Sequence, residues 1–247
     1  MALKAEVRVF EDTTSLNEAA AELVLSVAQE AVAEHGRFLI ALSGGSGPVG
    51  MFQLLAQPPY ANQMPWAQTH VFWGDERLVP PDDPGSNYGQ AAQLLLDHVP
   101  IPAEHVHRMK GELVGETAVS DYTTQLKKLA EPGRVWPRLD LAIMGLGGDG
   151  HTASLFPGPI PAAETVNPVM AVTADYDGRP AQRITLTPLV FNDAWQILFL
   201  AMGEKKAAAV KAVLHGSYRP QQWPAQRIKP SDGRVLWFLD TAAAQQT

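Results

Sequence analysis

The chain has 247 residues, a formal net charge of −7 and no cysteine. A composition 46% hydrophobic and 18% charged excludes a disordered chain and suits a globular one with a sizeable core. The acidic balance argues against a nucleic-acid partner, and the lack of cysteine removes disulfides, thiolate nucleophiles and cysteine metal sites together.

The opening MALKAEVRVFED has no apolar signal core, and no apolar run reaches membrane length. A cytoplasmic protein without a membrane partner is therefore expected. Residues 7–10 read as a first strand. Ser15 and Glu18 have the spacing of a capping box, ahead of an Ala/Leu/Val-rich helix to about residue 34. A buried strand over 37–42 (RFLIAL) leads into a glycine-rich loop at 43–48, and Pro48 suits the first turn of the helix behind it. The pattern then predicts a strand at 69–73, an irregular Pro/Asp-rich loop at 78–85, and a helix through 96 capped by Ser86 or Asn87. A short strand at 106–109 and a helix at 115–129 follow.

The next apolar strand, 139–144, opens into a second glycine-rich loop. Residues 157–168, rich in Pro and Ala, read as a surface excursion. Strands are expected at 169–173, 183–187, 196–201 and 234–239. A helix is expected over 203–214, closed by Gly216, and Asp240 suits the cap of a short C-terminal helix. Strands alternating with helices imply an α/β fold with a mostly parallel, Rossmann-like sheet flanked by helices. No linker divides the chain, so residues 1–247 are read as one domain. Such sheets bind ligands beyond the carboxyl ends of their strands. The unusual loops 43–48, 74–88 and 145–158 all follow predicted strands, so they are expected to converge at one edge.

Four motifs carry chemistry. Ser43-Gly44-Gly45-Ser46-Gly47-Pro48 offers backbone N–H groups, hydroxyls and a helix start to an anion, although an ordinary strand-to-helix turn would look the same. Asp75, Glu76 and Arg77 form either an internal ion-pair network or a site in which the Arg77 guanidinium holds a phosphate or acyl oxygen. Gly147-Gly148-Asp149-Gly150-His151 presents an imidazole beside a carboxylate in an accessible loop. An imidazole titrates near neutral pH, as a general base requires. Asp-x-His supplies only two metal ligands, and no partner pair accompanies it, so no metal is expected. Arg183 at a strand start and Lys206 in the first turn of a helix are ordinary surface residues in most proteins. A lysine there opposes the helix dipole, which makes more sense beside a bound anion.

Together, LSGGSGP, FWGDERLVPPDDPGSNYGQA, MGLGGDGHTASLFPG, RITLTP and GEKKA resemble the 6-phosphogluconolactonase family in content and order, spanning residues 42–207. The resemblance implies hydrolysis of 6-phospho-D-glucono-1,5-lactone and a fold similar to sugar-phosphate isomerases and deaminases. It implies a small sugar-phosphate lactone as partner, and no metal or organic cofactor. By motif, His151 is the implied general base, with Asp149 orienting it or holding a loop amide. Ser43, Gly44, Gly45, Ser46, Asp75, Arg77, Asn87, Arg183 and Lys206 are implied to hold the phosphate or line the pocket. Lys206 is preferred over Lys205 because the family pattern reads Gly-x-x-Lys-Ala. Gly47 stands where the family often has Thr, which costs one hydroxyl donor. A deaminase of similar fold would need a glutamate soon after the histidine, as in GHIAFNEP, whereas here no acid follows His151 before Glu164. A non-catalytic sugar-phosphate sensor would dispense with the histidine loop.

Overall fold

A computed structural model describes residues 5–176 and 178–247, so residues 1–4 of the chain start lie outside the described part. In chain order the elements are β1 (Glu6–Phe10), α1 (Thr13–His35), β2 (Phe38–Leu42), α2 (Val49–Leu55), α3 (Tyr60–Gln63), β3 (Thr69–Trp73), β4 (Asp75–Arg77), α4 (Asn87–Leu94), α5 (Gly115–Lys128), β5 (Leu141–Gly145), β6 (Val169–Thr173), β7 (Gln182–Leu186), α6 (Pro188–Phe191), β8 (Gln196–Ala201), α7 (Ala207–His215), β9 (Arg234–Asp240) and α8 (Thr241–Ala244). Six strands form a parallel sheet in the order β1-β9-β8-β5-β2-β3. The expected α/β fold with a mostly parallel sheet is thus present. Among the described residues, no helix is long and apolar enough to cross a membrane.

The chain runs outward from β2 to β3, then returns to the other side of β2 for β5, β8 and β9. The reversal between β2 and β5 leaves a crevice beyond their carboxyl ends, where an open α/β sheet binds its ligand. Every residue of β2 is buried, as the continuous apolar run FLIAL requires of a central parallel strand. Helix α1 packs Leu16, Ala20, Val24, Val27 and Ala31 inward at three- and four-residue spacing. It ends at Gly36, whose left-handed φ of 82° and N–H bond to Val32 O close the last turn.

Four sequence expectations are corrected. Helix α1 starts earlier than the Ser15–Glu18 capping box. Asp12 is the N-cap and accepts from Ser15 N at 2.8 Å, while the Ser15 hydroxyl donates back to Asp12. A carboxylate one turn upstream competes better than the serine for the free amides. The strand expected at 106–109 is only an isolated bridge from Val106 to Val71. Residues 204–206 form a tight 3-10 turn ahead of α7 instead of its first turn. Finally, 183–187 does not join the parallel sheet. As β7 it is the middle strand of a separate antiparallel sheet, β4-β7-β6, whose edge β4 is the stretch read as a loop start at Asp75–Arg77. Gly74 makes the transfer between sheets. Its N–H bonds Leu42 O in β2 and its carbonyl accepts from Leu186 N at the end of β7, both at 2.8 Å.

Candidate active site

The crevice at the β2/β5 reversal is walled by all three unusual loops. Ser43, Gly44, Gly45 and Ser46 follow β2; Asp75, Arg77 and Asn87 come from β4 and the start of α4; His151 follows β5; Arg183 lies on β7 and Lys206 precedes α7. Asp149 alone among the expected site residues does not face this pocket. It lies behind His151, on the wall of a neighbouring cleft. Lys206 lines the pocket and is half-buried, whereas Lys205 is exposed and does not line it.

The histidine loop is held in shape by its own hydrogen bonds. Gly147 N donates to His151 O at 2.7 Å, Gly150 N to Gly147 O at 3.0 Å, and the Thr152 hydroxyl to Gly145 O at 2.8 Å. This folds Asp149 back under the imidazole, with Oδ1 2.6 Å from His151 Nδ1 and accepting from His151 N at 3.1 Å. Burial raises the Asp149 carboxyl, and the bonds from His151 outweigh it, leaving the group below its ordinary range. It is therefore an anion at neutral pH, assigning the Nδ1 proton to the shared bond and leaving Nε2 as the basic nitrogen. A Cβ at Gly147 would sit 2.0 Å from His151 Nδ1, so only glycine admits the pair. Phe156 and Tyr176 pack on the imidazole at ring distances of 4.7 and 4.5 Å.

The acid–arginine segment is not an ion-pair network. Among the described residues, neither Asp75 nor Glu76 pairs with Arg77. Glu76, buried, accepts from the N–H groups of Arg77, Asn87 and Tyr88 and from the Ser86 hydroxyl, at 2.7–3.0 Å. It thus anchors the start of α4, where Ser86 caps Gly89 N. Burial raises the Glu76 carboxyl, and those donors only partly offset it. Asp75 accepts from Ser154 Oγ at 2.7 Å and from Asn87 Nδ2 at 3.2 Å, tying the β4 edge to the histidine loop. Asn87 in turn packs where a Cβ at Gly44 would be, 1.8 Å from Asn87 Oδ1, so the first glycine of the anion loop serves side-chain packing.

That leaves donors of Arg77 and Arg183 for a ligand. Arg77 donates to Gly85 O at 2.5 Å, but its Nε is buried without a partner. Arg183, 2% exposed, has both Nε and Nη2 buried and unpartnered. Burial lowers the Arg183 guanidinium below its usual range; Asp75 opposes this, while Arg77 and Arg179 add to it. Buried donors without acceptors cost free energy unless an anion fills them. Asp240 accepts from Gly203 N at 2.9 Å, and Gly203, at φ 88°, sets the turn that carries Lys206 to the pocket.

Sequence reasoning missed Tyr176 and Arg179, which line the pocket from the β6–β7 hairpin, and Ala153, whose φ of 49° places a strained residue in the wall. Only the hairpin, which no local motif signals, could have shown the first two. The 157–168 excursion lies at the surface as expected, with Glu164 as its one buried residue. Glu164 is buried, ion-paired to Arg227 at 2.9 Å, and does not reach the pocket, so it cannot stand in for a deaminase glutamate.

Residues 11–237 match the family model described as glucosamine-6-phosphate isomerases/6-phosphogluconolactonase. The chain is 39% identical to a 6-phosphogluconolactonase of Haemophilus influenzae over 83% of this chain and 86% of that protein. It is 38% identical to a 6-phosphogluconolactonase of Nostoc sp. over 99% of both. The solved 6-phosphogluconolactonase of Trypanosoma brucei superposes with a TM-score of 0.85 at 26% identity, covering 99% of each chain. A chain that matches these enzymes over most of its length, with its histidine loop, anion loop and buried arginines gathered at one crevice, belongs to the glucosamine-6-phosphate isomerase/6-phosphogluconolactonase family, on the side of its sugar-lactone hydrolases.

Proposed function

We propose that the protein hydrolyses 6-phospho-D-glucono-1,5-lactone to 6-phospho-D-gluconate, the hydrolytic step of the oxidative pentose phosphate pathway, with His151 as general base. The observation that carries this reading is the His151–Asp149 pair, 2.6 Å apart, with the imidazole on the pocket wall and Nε2 left to act. A δ-lactone is an activated ester, so neither a covalent nucleophile nor a metal is required. Nε2 takes a proton from a water that attacks C1, and returns it to the ring oxygen as the C1–O bond breaks. A positioned base contributes about 10²–10⁴-fold. The anionic Asp149 stabilises the imidazolium formed between those steps.

The phosphate and the developing oxyanion are shared among the Ser43–Ser46 loop, Arg77, Arg183 and Lys206, all on the pocket wall. Anchoring the phosphate fixes the ring relative to the base. Asp75 and Asn87 shape the wall through Ser154 and Gly44. On this reading the chain is one catalytic unit acting in the cytoplasm on a small molecule, without metal, organic cofactor, nucleic acid or membrane.

A coupled assay on freshly generated lactone tests it, with glucosamine 6-phosphate in parallel. His151→Ala should fall to near the spontaneous rate with its fold intact, and EDTA should leave wild-type activity unchanged. Full activity in His151→Ala refutes the base assignment. Turnover of glucosamine 6-phosphate in place of the lactone refutes the substrate.

A further inference from the structure

The histidine loop is clamped from behind by the segment that follows α7. Ala225 N donates to Gly150 O at 2.9 Å, and Gly158 N donates to Gln221 O at 2.8 Å, gripping the loop before and after His151. Between these two backbone bonds lies one side-chain bond, from Arg227 Nη2 to Phe156 O at 3.2 Å. Phe156 is the residue whose ring packs on the imidazole at 4.7 Å, and the Arg183 guanidinium lies over the same ring at 5.3 Å. Arg227 is 7% exposed and is itself fixed by Pro220 O at 2.8 Å and Glu164 at 2.9 Å. Its planar fork reaches three acceptors from three different nitrogens, a fixed spread that the single ammonium of a lysine does not offer.

A buried ion pair is weak evidence for stability, because well-packed apolar residues often do as well. We infer that Arg227 is a positioning residue: held by Glu164, it fixes Phe156 and through it the His151 ring and the Arg183 guanidinium. The chain of contact runs Glu164–Arg227–Phe156–His151. This rests on the proposed role of His151, and it gives the ion pair a task that packing alone would not explain.

The test separates stability from positioning with three variants. Arg227→Met leaves Glu164 buried without a counter-charge, so it loses both thermal stability and turnover. Glu164→Gln keeps an acceptor for Arg227, so it loses some stability but keeps most of its turnover. The double variant Glu164→Leu/Arg227→Met removes both charges and regains stability over Arg227→Met, yet its kcat stays about ten- to a hundred-fold below wild type while KM moves less. A second readout is the His151 imidazole titration followed by NMR and assigned with His151→Gln. Its midpoint should move in Arg227→Met and in the double variant, and stay in place in Glu164→Gln.

If the double variant recovers kcat along with stability, or the His151 midpoint is the same in all variants, the pair is structural and the inference is wrong. The NMR readout needs no substrate. A wild-type protein inactive on the lactone, with the expected pattern of midpoints, would refute the proposed reaction and leave the brace standing.

Discussion

Arg77 and Arg183 stand directly opposite each other across the antiparallel β4–β7 pair, two guanidiniums on one face of a small sheet. Like charges in that position destabilise a sheet, and the buried unpartnered donors of both side chains add to the cost. The arrangement makes sense as an anion site held open by the fold. Arg183→Met should therefore stabilise the ligand-free protein by up to about 1 kcal/mol. Inorganic phosphate at about 100 times its Kd should stabilise the wild type by about 2.7 kcal/mol, and Arg183→Met much less at the same concentration. Thermal unfolding with and without phosphate reads both effects; equal stabilisation of the two proteins would remove Arg183 from the site.

Gly147 is the position where the dyad is most exposed to a small change. Gly147→Ala drives a methyl into His151 Nδ1 and Asp149 Oδ1, at 2.0 and 2.4 Å, with no flexible end to yield. Turnover should fall about a hundred-fold, as a displaced base costs, while circular dichroism stays that of the wild type. Wild-type kcat in this variant would show that the pair tolerates rearrangement.

Gly47 has room that its neighbours lack. A Cβ there meets only Leu200, its carbonyl oxygen at 3.6 Å and its Cβ at 3.8 Å, and the position lines the pocket. Gly47→Thr should restore a hydroxyl donor and lower KM by about two- to ten-fold, the worth of one neutral hydrogen bond, with kcat little changed. Steady-state kinetics on the lactone checks this.

The pH dependence of stability should carry the mark of a histidine cluster remote from the pocket. His70 Nδ1 lies 3.1 Å from His107 Nε2, the His105 ring is 3.9 Å from that of His70, and the His107 ring stacks on Phe72. Burial first, then the neighbouring imidazoles, and Arg37 for His70, hold His70 and His107 down to about 4 from an ordinary 6.5. The unfolded chain therefore takes up these protons first. Stability should fall as pH drops from about 6.5 to about 4 and gain no further loss from this pair below that. Urea unfolding at about pH 7.5 and about pH 5 should show a smaller difference in His107→Gln than in the wild type.

Legibility followed the range of the forces involved. The 69–73, 169–173 and 196–201 strands, and the caps at Ser86 and Asp240, were readable because burial period and capping chemistry are local. The Ser43–Ser46 loop, Arg77, His151 and Lys206 were readable because glycine-rich turns at strand ends place their side chains wherever the fold goes. By itself the sequence determined the α/β class, the family and most of the residues that line the crevice. Only the tertiary structure decided that 182–186 leaves the parallel sheet to set Arg183 against Arg77, that Tyr176 and Arg179 reach the pocket, and that Glu164 turns inward to Arg227. Those pairings join residues distant in the chain. Their free energy comes from burial and charge in the assembled fold, which no local pattern records.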